Sequence, residues 1–140
     1  MNTKDYLNGA FWLNQRINSD IRELDELKEL VTGINAVKVS ERVKVTPSGE
    51  APFVRNIEKI MVLEDKIDQE IDEYVDLKDE IRTLIDRVKD QKLQLVLRYR
   101  YIHFCRWDEV ADMLGFTLRW THILHQRALE EVSKIISEKN

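Results

Sequence analysis

From Ile57 to Val88, apolar residues return every three or four positions: Ile57, Ile60, Ile67, Ile71, Tyr74, Ile81, Ile85 and Val88. Leu63 and Leu77 stand beside the two stripe positions that Glu64 and Lys78 occupy. This is the helical period, and the flanks are crowded with Asp, Glu, Lys and Arg. Residues 53–90 therefore predict one long helix with a coiled-coil-like pattern over about five heptads. At about 1.5 Å per residue it would be roughly 55 Å long. A lone helix cannot bury such a stripe. Its partner is residues 3–32 in an antiparallel hairpin, a second copy, or both, and a hairpin that also dimerises is the expectation.

Residues 3–32 carry a matching stripe at Leu13, Ile17, Ile21, Leu24, Leu27 and Val31, with Ala10 and Phe11 ahead. Asn2 can cap this helix, Asp5 suits its first turn, and Gly33 can stop it. The stretch 34–51 breaks the pattern. Its VKVSERVKV alternates like a short strand or hairpin arm, but no partner strand is obvious, so a loop is expected. TPSGEAP reads as a linker, with Pro52 suited to the first position of the next helix.

Few residues signal turns: the 140-residue chain holds four Gly and two Pro, while 34% of it is charged and 43% hydrophobic. An all-α fold follows, with a solvated surface and a real core. The single cysteine, Cys105, excludes an internal disulfide framework and a multi-cysteine zinc site. No apolar run reaches the 18 or so residues of a membrane span, and MNTKDYLNGA lacks a basic-then-apolar leader. The expectation is a cytoplasmic protein with no membrane partner and no cofactor.

Charge is uneven. Residues 1–90 hold 14 Lys and Arg against 20 Asp and Glu; residues 91–140 hold 8 against 6, with all three His. Two domains are expected: a coiled-coil hairpin for self-association over 1–90, with its loop at 34–51, and a mildly basic unit over 91–140. In the latter, QKLQLVLRYRYIHF, RWDEVADMLG and TLRWTHILHQRALEEVSKII read as three helices.

The segment from Trp107 to Gln126 has helix-turn-helix spacing. Val110, Ala111 and Leu114 make an inner face, and the small Ala111 admits a close crossing. Gly115 stands where the turn needs positive φ. Phe116 plugs the turn, and Thr117 can cap the next helix. Leu124 and Ala128 point back to the core, and Leu93, Leu95, Val96, Leu97 and Tyr101 supply a third wall. The outward face is then Thr117, Leu118, Arg119, His122, Ile123 and Gln126, set to enter a DNA major groove. Arg119 suits a guanine edge, Gln126 an adenine, and Leu118 and Ile123 thymine methyls. Arg98, Arg100, Arg106, Arg127 and Lys134 are the phosphate candidates.

RYRYIHFCRWDEVADMLGFTLRWTHILHQRALEEV resembles region 4 of bacterial sigma factors. It is still more similar to the region-4-type domain of phage late transcription regulators of the ArpU/RinA group. The match rests on Leu97, Arg98, Tyr99, Trp107, Glu109, Ala111, Leu114, Gly115, Arg119, Leu124, His125, Ala128 and Leu129. The front half resembles short Gram-positive phage proteins through Ile60, Leu63, Glu64, Ile67, Ile71, Asp72, Asp76, Leu77, Lys78, Glu80, Ile81, Leu84 and Ile85. The resemblance implies a phage or prophage regulator in a bacterial host, binding double-stranded DNA and contacting RNA polymerase or host sigma factor. Three departures stand out. Arg106 replaces a capping Ser or Thr, Thr121 a core Val or Ile, and Trp120 is bulkier than the pattern.

Other chemistry is thinly supported. His122 and His125 are three apart, but no third metal ligand is suggested. Cys105 with His103 lacks an orienting partner for nucleophilic catalysis. The carboxylates Asp65, Asp68, Asp72, Asp76 and Asp79 fit a solvated helix face. With no phosphate-binding glycine loop and no catalytic signature, a non-enzyme is expected. Binding of DNA through a dimer or higher homo-oligomer is the leading reading. A small-terminase-like packaging accessory and a module that binds host polymerase or a regulator without DNA are the alternatives.

Overall fold

The computed structural model describes residues 2–32 and 52–138. All regular structure among them is helical, with no strand. In order the elements are α1 (Thr3–Leu7), α2 (Gly9–Thr32), α3 (Pro52–Asp86), α4 (Gln91–Leu97), a π-helical turn (Arg98–Ile102), α5 (Trp107–Leu114) and α6 (Leu118–Glu138). The expected strand-or-loop segment 34–51 and the Gly33 stop lie outside the described residues. No helix among the described residues is long and apolar enough to cross a membrane.

Local chemistry starts and stops these helices. The Asn2 side chain accepts from the Asp5 amide at 2.8 Å, as a cap should. The helix expected over 3–32 is interrupted once, at Asn8, whose ψ of −9° opens the turn between α1 and α2. Gly9, just beyond, lies where an added Cβ would touch Leu77 Cδ2 at 3.4 Å, an ordinary van der Waals contact with α3. Pro52 opens α3, where its missing N–H costs nothing. Asp90 caps α4 by accepting from the Lys92 and Leu93 amides.

Packing divides the chain into two compact units, Met1–Leu13 with Tyr74–Asn140, and Asn14–Glu73. The division falls within α2 and within α3. Residues 1–13 and 74–90, expected with the coiled coil, thus pack in one unit with the C-terminal helices.

Among its described residues, the smaller unit holds a stretch of α2 and a stretch of α3. Leu24 and Val31 of α2 bury against Ile60, Leu63 and Ile67 of α3, with Leu27 and Ile57 alongside. Lys28 pairs with Glu64 and Lys66 with Asp20, so the helices run in opposite senses. Two expectations fail here. Ile21 and Ile71, placed in the stripes, are 38% and 39% exposed, while their neighbours Asp20 and Glu70 are each only 7% exposed. A helix advances about 100° per residue, so a small rotation decides which of two adjacent residues faces the partner.

In the larger unit, Leu7, Ala10, Ile81, Leu84, Ile85 and Val88 share a core with Leu93, Val96, Leu97, Tyr101, Ile102, Leu124, Ala128 and Val132. α6 packs against α1, α4 and α5. Leu95, expected in the third wall, is 38% exposed. Positions 93, 96 and 97 occupy the inner face of α4, and position 95 falls on the other side.

Candidate nucleic-acid interface

The chain between α5 and α6 follows from three residues. Gly115 adopts φ +69°, ψ +31°, the left-handed conformation that closes a helix and that L side chains resist. Phe116 donates its amide to Ala111 O at 2.9 Å and packs against the core. Thr117 Oγ1 accepts from the Trp120 amide at 3.1 Å, capping α6.

The entry to α5 bears out the consequence of Arg106. A guanidinium has no acceptor, so the cap is one-sided: Glu109 reaches back to accept from the Arg106 amide at 3.0 Å. Thr121, in place of a core Val or Ile, is fully buried, and its hydroxyl donates to Thr117 O at 2.9 Å. The departure is thereby accommodated without an orphaned polar group. Trp120 is half-buried, with the Arg127 guanidinium 5.3 Å from its ring centre.

Behind this turn lies a polar cluster that spacing did not reveal. His125 is 5% exposed, and its Nε2 lies 2.6 Å from the Tyr101 hydroxyl. The Trp107 ring lies tilted against His125, centre to centre 4.4 Å at 60°, and against His122 at 4.9 Å and 53°. Burial pushes the His125 pKa down to about 4, helped by the charges of Lys4, Arg100 and His122. Burial likewise pushes Tyr101 up to about 12. Tyr101 thus keeps its proton and His125 stays neutral, so the two share one hydrogen bond whose direction the imidazole tautomer sets. A His in the second half of an apolar stripe, as here between Leu124 and Ala128, was the available signal.

The base-facing candidates Thr117, Leu118, Arg119, His122, Ile123 and Gln126 are all exposed, as is Arg127. Thr117 stands at the cap of α6 and the others occupy its first turns, on the side away from Thr121, Leu124, His125 and Ala128. Leu118 is 49% exposed and Ile123 38%. Arg119 makes no ion pair among the described residues.

The phosphate candidates are less free. Arg98 pairs with Asp86 at 3.2 Å. Arg100 donates to Cys105 O at 3.0 Å and lies 4.7 Å from the Trp107 ring centre. Arg106 bonds Asp108, whose carboxyl it holds below the ordinary range. Lys134 pairs with Glu131 at 3.5 Å. Of the five, Arg127 alone is exposed and outside these polar pairings.

Elsewhere, no three His, Cys, Asp or Glu side chains among the described residues could hold a metal ion. The Cys105 thiol is pushed up by burial and by the charge of Glu109, which disfavours the nucleophilic thiolate. Asp65, Asp68, Asp72, Asp76 and Asp79 are exposed along α3.

Neither the curated proteins nor the solved structures contain a match to this chain. A family described as protein of unknown function (DUF1492) matches residues 55–133, more than half of the sequence, and the chain belongs to that family.

Proposed function

We propose that this protein is a phage-type transcriptional regulator that binds duplex DNA, with α5 and α6 acting as a sigma-region-4-like helix-turn-helix. One observation carries the reading. The first turns of α6 present Thr117, Leu118, Arg119, His122, Ile123, Gln126 and Arg127 to solvent, behind a turn set by Gly115 and Thr117. Donors, acceptors and two apolar contacts on one helix end are the chemistry that reads base edges. Phosphate contact rests first on Arg127, since Arg98, Arg106 and Lys134 are paired with carboxylates and Arg100 is half-buried with one N–H spent on Cys105 O. One such helix reads only a few base pairs, so useful specificity needs two copies on two half-sites, joined through residues 1–90. In this reading the protein acts in the bacterial cytoplasm and positions RNA polymerase or host sigma factor.

The test is capture of sheared phage and host DNA by the purified chain, with washes at rising salt and sequencing of what remains. Retention of a few fragments near promoters supports the reading. Retention at a packaging locus replaces it with a packaging role. Uniform loss of all fragments at modest salt leaves only phosphate attraction and sinks it. The internal pairing of Arg98, Arg100, Arg106 and Lys134 favours a second reading in that event: a module that binds host polymerase or a regulator without DNA.

A further inference from the structure

Two residues beyond the π-helical turn the backbone is strained. Phe104 has φ +57°, a left-handed conformation that a bulky side chain pays to adopt. Rare π turns and strained backbone together often mark places where a side chain has been re-aimed for use. Here they carry the Phe104 ring to the rim of a cavity of about 260 Å³, lined by Asn8, Phe11, Trp12, Arg100, Phe104 and Arg106. Phe11 packs edge-on to Phe104 at 5.6 Å and to Trp12 at 5.1 Å. Trp12 is nevertheless 64% exposed, a large aromatic surface left to water.

The cavity joins this aromatic wall to positive charge. Arg100 is half-buried, lies against the Trp107 ring and spends one N–H on Cys105 O, but has no carboxylate partner among the described residues, so its remaining N–H groups are left for an acceptor. Lys78 Nζ lies 5.0 Å from the Phe104 ring centre, and Arg106 stands at the rim. Asp108 and Glu109, both within ion-pair distance of Arg106, add negative charge there. A chain of phosphates would meet that repulsion, whereas one carboxylate beside an aromatic ring would reach Arg100. The Asn8 amide, both donor and acceptor, suits a peptide backbone.

We infer that the Phe11–Trp12–Phe104 cavity with Arg100 is a docking site for a protein segment presenting an aromatic side chain next to a carboxylate. Its ring enters the aromatic wall, and its carboxylate meets the Arg100 fork.

The test uses the full chain and the peptide acetyl-Asp-Phe-Asp-amide, followed by NMR of the tryptophan indole and arginine side-chain N–H groups. Expected is a saturable shift of the Trp12 indole, with a dissociation constant on the order of 1 mM for so small a probe. Acetyl-Asp-Ala-Asp-amide and acetyl-Lys-Phe-Lys-amide should each bind at least fivefold more weakly. Trp12→Ala, at an exposed position, should weaken the acidic peptide by a similar factor with the melting curve unchanged, and Arg100→Lys, which keeps the charge but loses the fork and its bond to Cys105 O, should weaken it as much at a temperature where the variant is still folded. No saturation by about 10 mM, equal binding of the lysine peptide, or tighter binding of oligothymidylate overturns the assignment. DNA capture by Trp12→Ala should match that of the parent chain, so this site and the α6 face fail or stand separately.

Discussion

The Tyr101 hydroxyl and His125 Nε2 meet at 2.6 Å, linking the π-helical turn to the middle of α6 inside the core. Both groups are nearly water-free, at 2% and 5% exposure. Each therefore depends on the other for its hydrogen bond. Replacing Tyr101 with Phe keeps the ring and orphans His125 Nε2, which should cost about 1–3 kcal/mol in chemical denaturation. A change below a few tenths would show that water reaches the imidazole.

Acid should loosen the larger unit. The folded pKa of His125 lies at about 4, below the 6.5 of the free side chain, so the unfolded chain binds the proton first. The stability tied to neutral His125 is complete above pH 6.5 and drains away as pH falls towards 4. The full loss is of the order of 3 kcal/mol. Thermal melts from pH 7 to 4.5 should show this fall for the parent chain and a shallower one for His125→Gln.

Asp20 and Glu70 work in the opposite sense within the smaller unit. Asp20 Oδ2 and Glu70 Oε1 are buried without a hydrogen-bond partner, and Lys66 Nζ, 3.6 Å from Asp20, is too far to bond well. Burial raises the Glu70 pKa, and the neighbouring Asp20 carboxylate raises it further. A raised carboxyl pKa means the folded state holds the proton more tightly, so this pair destabilises at neutral pH and is relieved as pH falls. Glu70→Gln supplies a permanent donor to Asp20 and should stabilise the chain at pH 7 by roughly 1–2 kcal/mol. Urea midpoints of the two proteins at pH 7 decide the point, and a lower midpoint for the variant refutes it.

Gly115→Ala isolates backbone strain. A Cβ there meets nothing within 4 Å, so only the φ of +69° opposes it. The expected loss is about 1 kcal/mol. Thr117→Ala removes the α6 cap and should cost a similar 1 kcal/mol or so. If both variants melt with the parent, the turn is not held as described.

Arg119→Ala tests the reading face. Arg119 is exposed and unpaired among the described residues, so its removal should leave the melting curve alone. Specific DNA binding should weaken by roughly 1–3 kcal/mol. Unaltered affinity would take Arg119 off the face.

Much of this chain was legible from its residues because the interactions concerned are local. Apolar period sets helix type, and Asn2, Pro52, Gly115 and Thr117 act within one turn of where they stand. The outward face of α6 followed from the same period. Helix rotation is not local. Asp20 turned inward past Ile21, and Glu70 past Ile71, because each long helix settles against a partner whose register sequence spacing leaves open. The same holds for His125 and for Arg98 and Arg100. Only packing brought Tyr101 to the imidazole, and Asp86, Trp107 and Cys105 O to the guanidiniums. Spacing marks which side of a helix is apolar, but long-range contacts choose what each polar group on that helix meets.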